Sequence, residues 1–165
     1  MIIADILQNH ILPFEIGDEK LKRLFSFFLH SAPTIESATA ANIPINRLVN
    51  NWNTYISGYS SDSYAVIAPN CIFNNYLGKY KLDNNAVVNR KVKGFVCKKK
   101  TNSETEYESL FRHLRNSIAH NNIYMINAGN RKYLLFEDFN QSKNPSARVL
   151  LSQTDLQKLK AEIMK

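Results

Sequence analysis

Cysteine is scarce in this 165-residue chain: Cys71 and Cys97 stand far apart, without Cys or His partners at zinc spacing. This argues against a disulfide-stapled fold and a metal site, and the two thiols are expected to be reduced and partly buried. Glycine is also sparse. Gly58 and Gly78 are isolated, so no phosphate-cradling loop is in view. No apolar run approaches the ~20 residues needed to span a bilayer, so no membrane partner is expected. The amino-terminal stretch MIIADILQNHILPFEIGDEK lacks a basic lead and a small-residue cleavage site, and a cytoplasmic location is the expectation. Paired carboxylates and a Ser/His/Asp arrangement are missing too, and nothing calls for a cofactor.

What the chain has in excess is positive charge, +7 in all. The segment from Lys79 to Lys100 holds Lys79, Lys81, Arg90, Lys91, Lys93, Lys98, Lys99 and Lys100 against one acid, Asp83, which accounts for the whole excess. Such a concentration attracts polyanions and releases counterions on meeting phosphates. Asparagine is abundant as well, 20 residues, scattered and often paired rather than gathered in a tract.

Hydrophobic spacing predicts mostly helix in one domain spanning 1–165. Asp18 to Ala32 is amphipathic and is stopped by Pro33. Thr34 to Ser57 reads as helix broken at Pro44, with Leu48, Val49, Trp52, Tyr55 and Ile56 on its core face. Ser60 to Ser63 is turn material. Pro69 to Tyr80 and the basic Asp83 to Val96 are further helix expectations. Glu106 to Asn121 is the strongest helix, with a Ser103 or Thr105 cap. Beyond it the period changes: Ile123 to Ile126 and Lys132 to Phe136, separated by Ala128-Gly129-Asn130, form a β-hairpin. Arg148 to Leu151 adds an edge strand, and Ser152 or Thr154 caps a final helix. The fold class expected is mainly α, a helical bundle with a small hairpin between its strongest helix and the C-terminal one.

At 100° per residue, with Leu110 at zero, Leu110, Phe111, Leu114 and Ile118 of this helix fall between about 0° and 100° and face the core. Opposite them lie Arg115, Ala119, Arg112, Asn116 and His120, at about 140°, 180°, 200°, 240° and 280°, with His113 nearer the flank and expected to be structural or exposed. A small residue in the middle of a basic, amide-bearing face leaves room for a second backbone to approach, so Ala119 marks a dimer interface with a symmetry mate. Arg115 and His120 diverge on one helix. Across a two-fold axis they would meet the same pair from the other copy.

The stretch FRHLRNSIAHNN resembles the defining motif of HEPN domains, in which an arginine and a polar residue are followed by three variable positions and a histidine: Arg115, Asn116, Ser117-Ile118-Ala119 and His120. The likeness extends through the hairpin and the Ser152 to Leu156 helix start, covering roughly Glu104 to Ile163. HEPN domains are helical bundles that usually dimerise through the motif helix, and many are ribonucleases of toxin, anti-phage and CRISPR-associated systems. The resemblance implies a metal-independent endoribonuclease and a possible antitoxin or defence-system partner. His120 would handle protons. Arg115 would clamp the phosphate and stabilise the charge of the transition state. Asn116 would orient Arg115 or His120, or hydrogen-bond the phosphate. Arg112, Arg90, Lys91, Lys93, Lys98, Lys99 and Lys100 would hold RNA. The alternative is a catalytically silent HEPN module that binds RNA or a protein. Where some relatives carry a tyrosine two residues after the motif histidine, this chain has Asn122, with Tyr124 two positions late.

Overall fold

A strand that is apolar at every position needs cover on both faces. The runs Tyr133–Phe136 and Val149–Leu151 are of this kind, and they form the middle of a six-stranded sheet. The computed structural model describes residues 1–34, 43–89 and 92–165. Among these, six strands, β1 (His10–Ile11), β2 (Tyr64–Ile67), β3 (Gly94–Lys98), β4 (Ile123–Ala128), β5 (Arg131–Phe139) and β6 (Pro145–Ser152), lie in the order β1-β4-β5-β6-β3-β2. Within the sheet β2 and β3 run parallel; the other neighbours are antiparallel.

The two-residue alternation of strands sorts these side chains into two cores. Phe95, Cys97, Leu134, Phe136, Val149 and Leu151 join α2 (Glu19–His30), α3 (Ile45–Ile56), α5 (Glu106–Ala119) and α6 (Gln153–Ile163) on one face. Val96, Tyr133, Leu135 and Leu150 turn the other way, onto α1 (Ile3–Ile6), α4 (Asn74–Leu77), Leu82 and Val88. The sheet is therefore the middle layer of three.

A mainly α bundle is thus overturned. The helices around Leu24, Trp52, Leu114 and Leu159 are there, but they cover a mixed sheet rather than one another alone. Asp83 to Val96 is not helical over its described residues: Val87 bridges Ile2, and Gly94 onward is strand. Its β-branched residues, Val92 and Val96 among them, were the warning. Pro69 to Tyr80 keeps helix only at Asn74–Leu77. Of the stretch expected helical from Thr34, residues 35–42 lie outside the described residues, and helix resumes at Ile45. Arg148 to Leu151 is not at an edge; β6 lies between β5 and β3.

The hairpin is where it was expected, with Gly129 at φ +62° in the two-residue turn between β4 and β5. Gly94 has a different duty. A Cβ there would stand 2.2 Å from the Ser63 carbonyl oxygen, so only glycine lets β3 begin against the chain entering β2.

A candidate nucleic-acid cleft at the end of helix α5

Helix α5 is closed at both ends by its own sequence. Thr105 is the N-cap: its hydroxyl accepts from the Glu108 N–H at 3.3 Å, and the Glu108 carboxylate accepts from the Thr105 N–H at 3.1 Å. At the other end Asn121 adopts φ +59°, a left-handed conformation that asparagine tolerates. The Asn122 N–H then reaches back to the Ser117 carbonyl (2.8 Å) and the Asn121 N–H to the Ile118 carbonyl (3.2 Å), a Schellman closure. His120 is the C-cap residue of this arrangement, exposed, with the exposed Ala119 just before it.

The helix lies against both α2 and the sheet, so its buried arc is wider than the apolar stripe alone. It takes in Ser117, whose hydroxyl lies 2.7 Å from both the His113 and the Glu137 carbonyls. It also takes in His113, only 1% exposed. His113 Nε2 donates to the Lys98 carbonyl (2.7 Å), and Nδ1 meets Asp138 Oδ2 (2.7 Å). His113, expected to be structural or exposed rather than functional, is buried.

Arg112 is engaged rather than splayed toward solvent. Its Nε and Nη2 donate to the two Glu104 carboxylate oxygens at 2.7 and 3.1 Å, and Nη2 also donates to the Lys98 carbonyl at 3.0 Å. The Lys100 N–H donates to Glu104 at 3.1 Å. Burial pushes the Glu104 carboxyl up, but the hydrogen bonds from Arg112 and Lys100 and the charge of Arg112 outweigh it, and the group sits below the ordinary carboxylate range. This latch fastens the Lys98–Lys100 run to α5. Beside it, burial pushes the Cys97 thiol far up, as for an inert core cysteine.

Half-buried Arg115 donates to Thr34 Oγ1 at 3.4 Å, and half-buried Asn116 donates through Nδ2 to Asp138 Oδ2 at 3.2 Å. Together with His120, both line an open cleft of about 620 Å³, whose walls include Lys98, Lys99 and Lys100. The motif triad and three of the basic residues therefore share one concavity within a single copy. Arg112 also borders it, with its fork already committed. Lys93 does not join them: its ammonium lies 4.5 Å from the centre of the Tyr59 ring and lines a separate cavity of about 820 Å³ with Lys81. Arg90 and Lys91 lie outside the described residues.

Sequence reasoning missed Asp138 and Glu104. Asp138 had a visible signal, one of two adjacent acids, Glu137 and Asp138, in a largely apolar strand run (LLFEDF). Among the described residues, no three His, Cys, Asp or Glu side chains gather as a metal site would require, and no helix is long and apolar enough to cross a membrane.

The chain matches the family model described as HEPN pEK499 p136 over residues 11–165, and it belongs to this HEPN family. The match takes in the amino-terminal half, which the motif resemblance alone did not reach. No curated protein and no solved structure matches the chain. HEPN domains are often ribonucleases, and the family match suggests a module of nuclease or RNA-binding type.

Proposed function

We propose that this chain is a metal-independent HEPN endoribonuclease that cleaves RNA as a homodimer in the cytoplasm. Its setting is toxin–antitoxin or phage defence, where an antitoxin or another defence component holds it in check. The observation that carries this reading is the shared cleft, in which Arg115, Asn116 and His120 stand beside Lys98, Lys99 and Lys100.

The cationic wall draws the RNA backbone in. Arg115 offers its fork of donors to the scissile phosphate and to the charge that builds on it. His120 removes the proton of the ribose 2′-hydroxyl. The 2′-oxygen then bonds to phosphorus, the bond to the 5′-oxygen breaks, and that oxygen leaves with a proton from an imidazolium. The products are a 2′,3′-cyclic phosphate and a 5′-hydroxyl. Ala119, small and exposed next to the motif histidine, is where a second copy approaches.

The test is incubation of purified protein with RNA in EDTA, with Arg115→Ala and His120→Ala alongside and the cyclic-phosphate end as readout. Cleavage by the wild type and loss in both variants supports the reading. RNA binding without cleavage by the wild type overturns it in favour of the catalytically silent module. Mixing the two variants addresses the dimer. If each pocket draws Arg115 from one copy and His120 from the other, half of the dimers are hybrids with one intact pocket, and about a quarter of the rate returns.

A further inference from the structure

Asp138 is an acid only 3% exposed at the end of β5, just before the register shift at Asp138/Phe139, and it borders the cleft. Strand alternation turns it the same way as Leu134 and Phe136, toward α5. Three nitrogens converge on its carboxylate: His113 Nδ1 at 2.7 Å and Asn116 Nδ2 at 3.2 Å on Oδ2, and the Phe139 backbone N–H at 2.9 Å on Oδ1. His113 cannot rotate to release it, because its Nε2 is bound to the Lys98 carbonyl. Nε2 also lies 3.2 Å from Arg112 Nη2, so the ring is held at both nitrogens.

This arrangement determines which way Asn116 faces. A carboxylate accepts and does not donate, so the amide nitrogen, not the oxygen, must point at Asp138. The amide oxygen then faces away from Asp138 as a fixed acceptor, which seeks a donor. A phosphate oxygen at neutral pH is not one. The ribose 2′-hydroxyl is, and it is the group by which a site tells RNA from DNA.

We propose that Asp138, held by His113, is a positioning residue that orients the Asn116 carboxamide to accept a hydrogen bond from the substrate's 2′-hydroxyl in the bound complex, before that proton turns to His120, giving the cleft its selectivity for ribose. The inference rests on the RNA reading of the cleft. In its test, binding is measured separately from cleavage.

Wild type, Asp138→Asn, Asn116→Asp and the exchanged double variant are compared on one RNA oligonucleotide and its all-2′-deoxy counterpart of the same sequence, in EDTA. A single hydrogen bond corresponds to roughly two- to tenfold in affinity, so wild type should prefer RNA by about that factor, and Asp138→Asn should lose the preference. Misorientation of the reacting group should lower kcat on RNA by about 10²-fold in either single variant, while KM rises by no more than the roughly two- to tenfold of the lost hydrogen bond. The double variant restores an amide-to-carboxylate bond with donor and acceptor exchanged, and should recover most of both losses. A role confined to stability would lower the melting temperature and leave preference and kcat where they were.

Retained ribose preference and kcat in a folded Asp138→Asn would overturn the proposal, as would a double variant no better than the singles. If Asp138→Asn does not fold, the other two variants decide: loss in Asn116→Asp with recovery in the double variant supports positioning, and no recovery refutes it. Ribose preference lost in Asp138→Asn while wild type never cleaves would sink the nuclease reading and leave the positioning role standing.

Discussion

Arg112 was expected to touch RNA, yet its guanidinium is spent on Glu104 and the Lys98 carbonyl, and the two roles predict opposite outcomes for Arg112→Ala. The Glu104 side chain is fully shielded from solvent and that of Arg112 is 13% exposed, so the pair is buried in effect. Removing one partner of such a pair leaves an uncompensated charge inside, at a cost of about 3–5 kcal/mol. The lower figure applies here, because Glu104 keeps the Lys100 N–H and the Lys98 carbonyl keeps His113. With a urea dependence of about 2 kcal/mol per molar, a loss of about 3 kcal/mol moves the unfolding midpoint down by about 1.5 M. Circular dichroism in a urea series measures it. A double variant, Arg112→Ala with Glu104→Ala, should lose less than the two singles together, since neither charge is then stranded. A midpoint shift below about 0.3 M at an m-value of this size, joined to weaker RNA binding, would refute the latch and return Arg112 to the phosphate-binding set.

Other outcomes follow from the same contacts. His120→Ala should abolish cleavage and leave stability within about 1 kcal/mol, because an exposed C-cap side chain does little packing; unfolding of that variant by heat would show otherwise. Replacing Lys98, Lys99 and Lys100 by alanine should flatten the salt dependence of single-stranded RNA binding by about 0.7 in the log–log slope for each phosphate no longer neutralised, read by anisotropy titrations across a salt series. Glu104 titrates lower in the folded chain than in the unfolded one, so its stabilising share is complete above the unfolded value of about 4.3 and fades as pH falls through the folded value. Acid unfolding curves of Glu104→Gln should therefore be flatter below about pH 4.3 than those of the wild type.

How much of the structure is legible in the sequence depends on the range of the interactions concerned. Local signals read well: Thr105 and Ser152, each one of two candidates, cap their helices, and Gly129 turns the hairpin. The motif residues sit at the end of the helix assigned to them. The sheet was hidden because its pairings are distant. Tyr64–Ile67 and Gly94–Lys98 are each short and ambiguous alone, and they become strands by pairing with each other and with β6, some fifty residues on. The helical wheel does not show the burial of His113 or the pairing of Arg112, since it counts apolar faces and is blind to a polar side chain held against a partner from another element. Asp138 and Glu104 are those partners.

The divergence of Arg115 and His120 on the wheel assumed that both belong to one regular helix. His120 does not. As C-cap residue it has φ −100° rather than a helical value, so 100° per residue gives its direction less well than that of Arg115. All three motif residues therefore border one cleft without a second copy. What a second copy would add is then a separate question from whether the triad can gather. The closure at Asn121 ends the helix at His120, the bond to Asp138 holds Asn116, and the Glu104–Arg112 latch brings the lysines alongside. Each device lies on rigid structure next to the residue that it aims, as a site whose groups must be held to within about half an ångström requires.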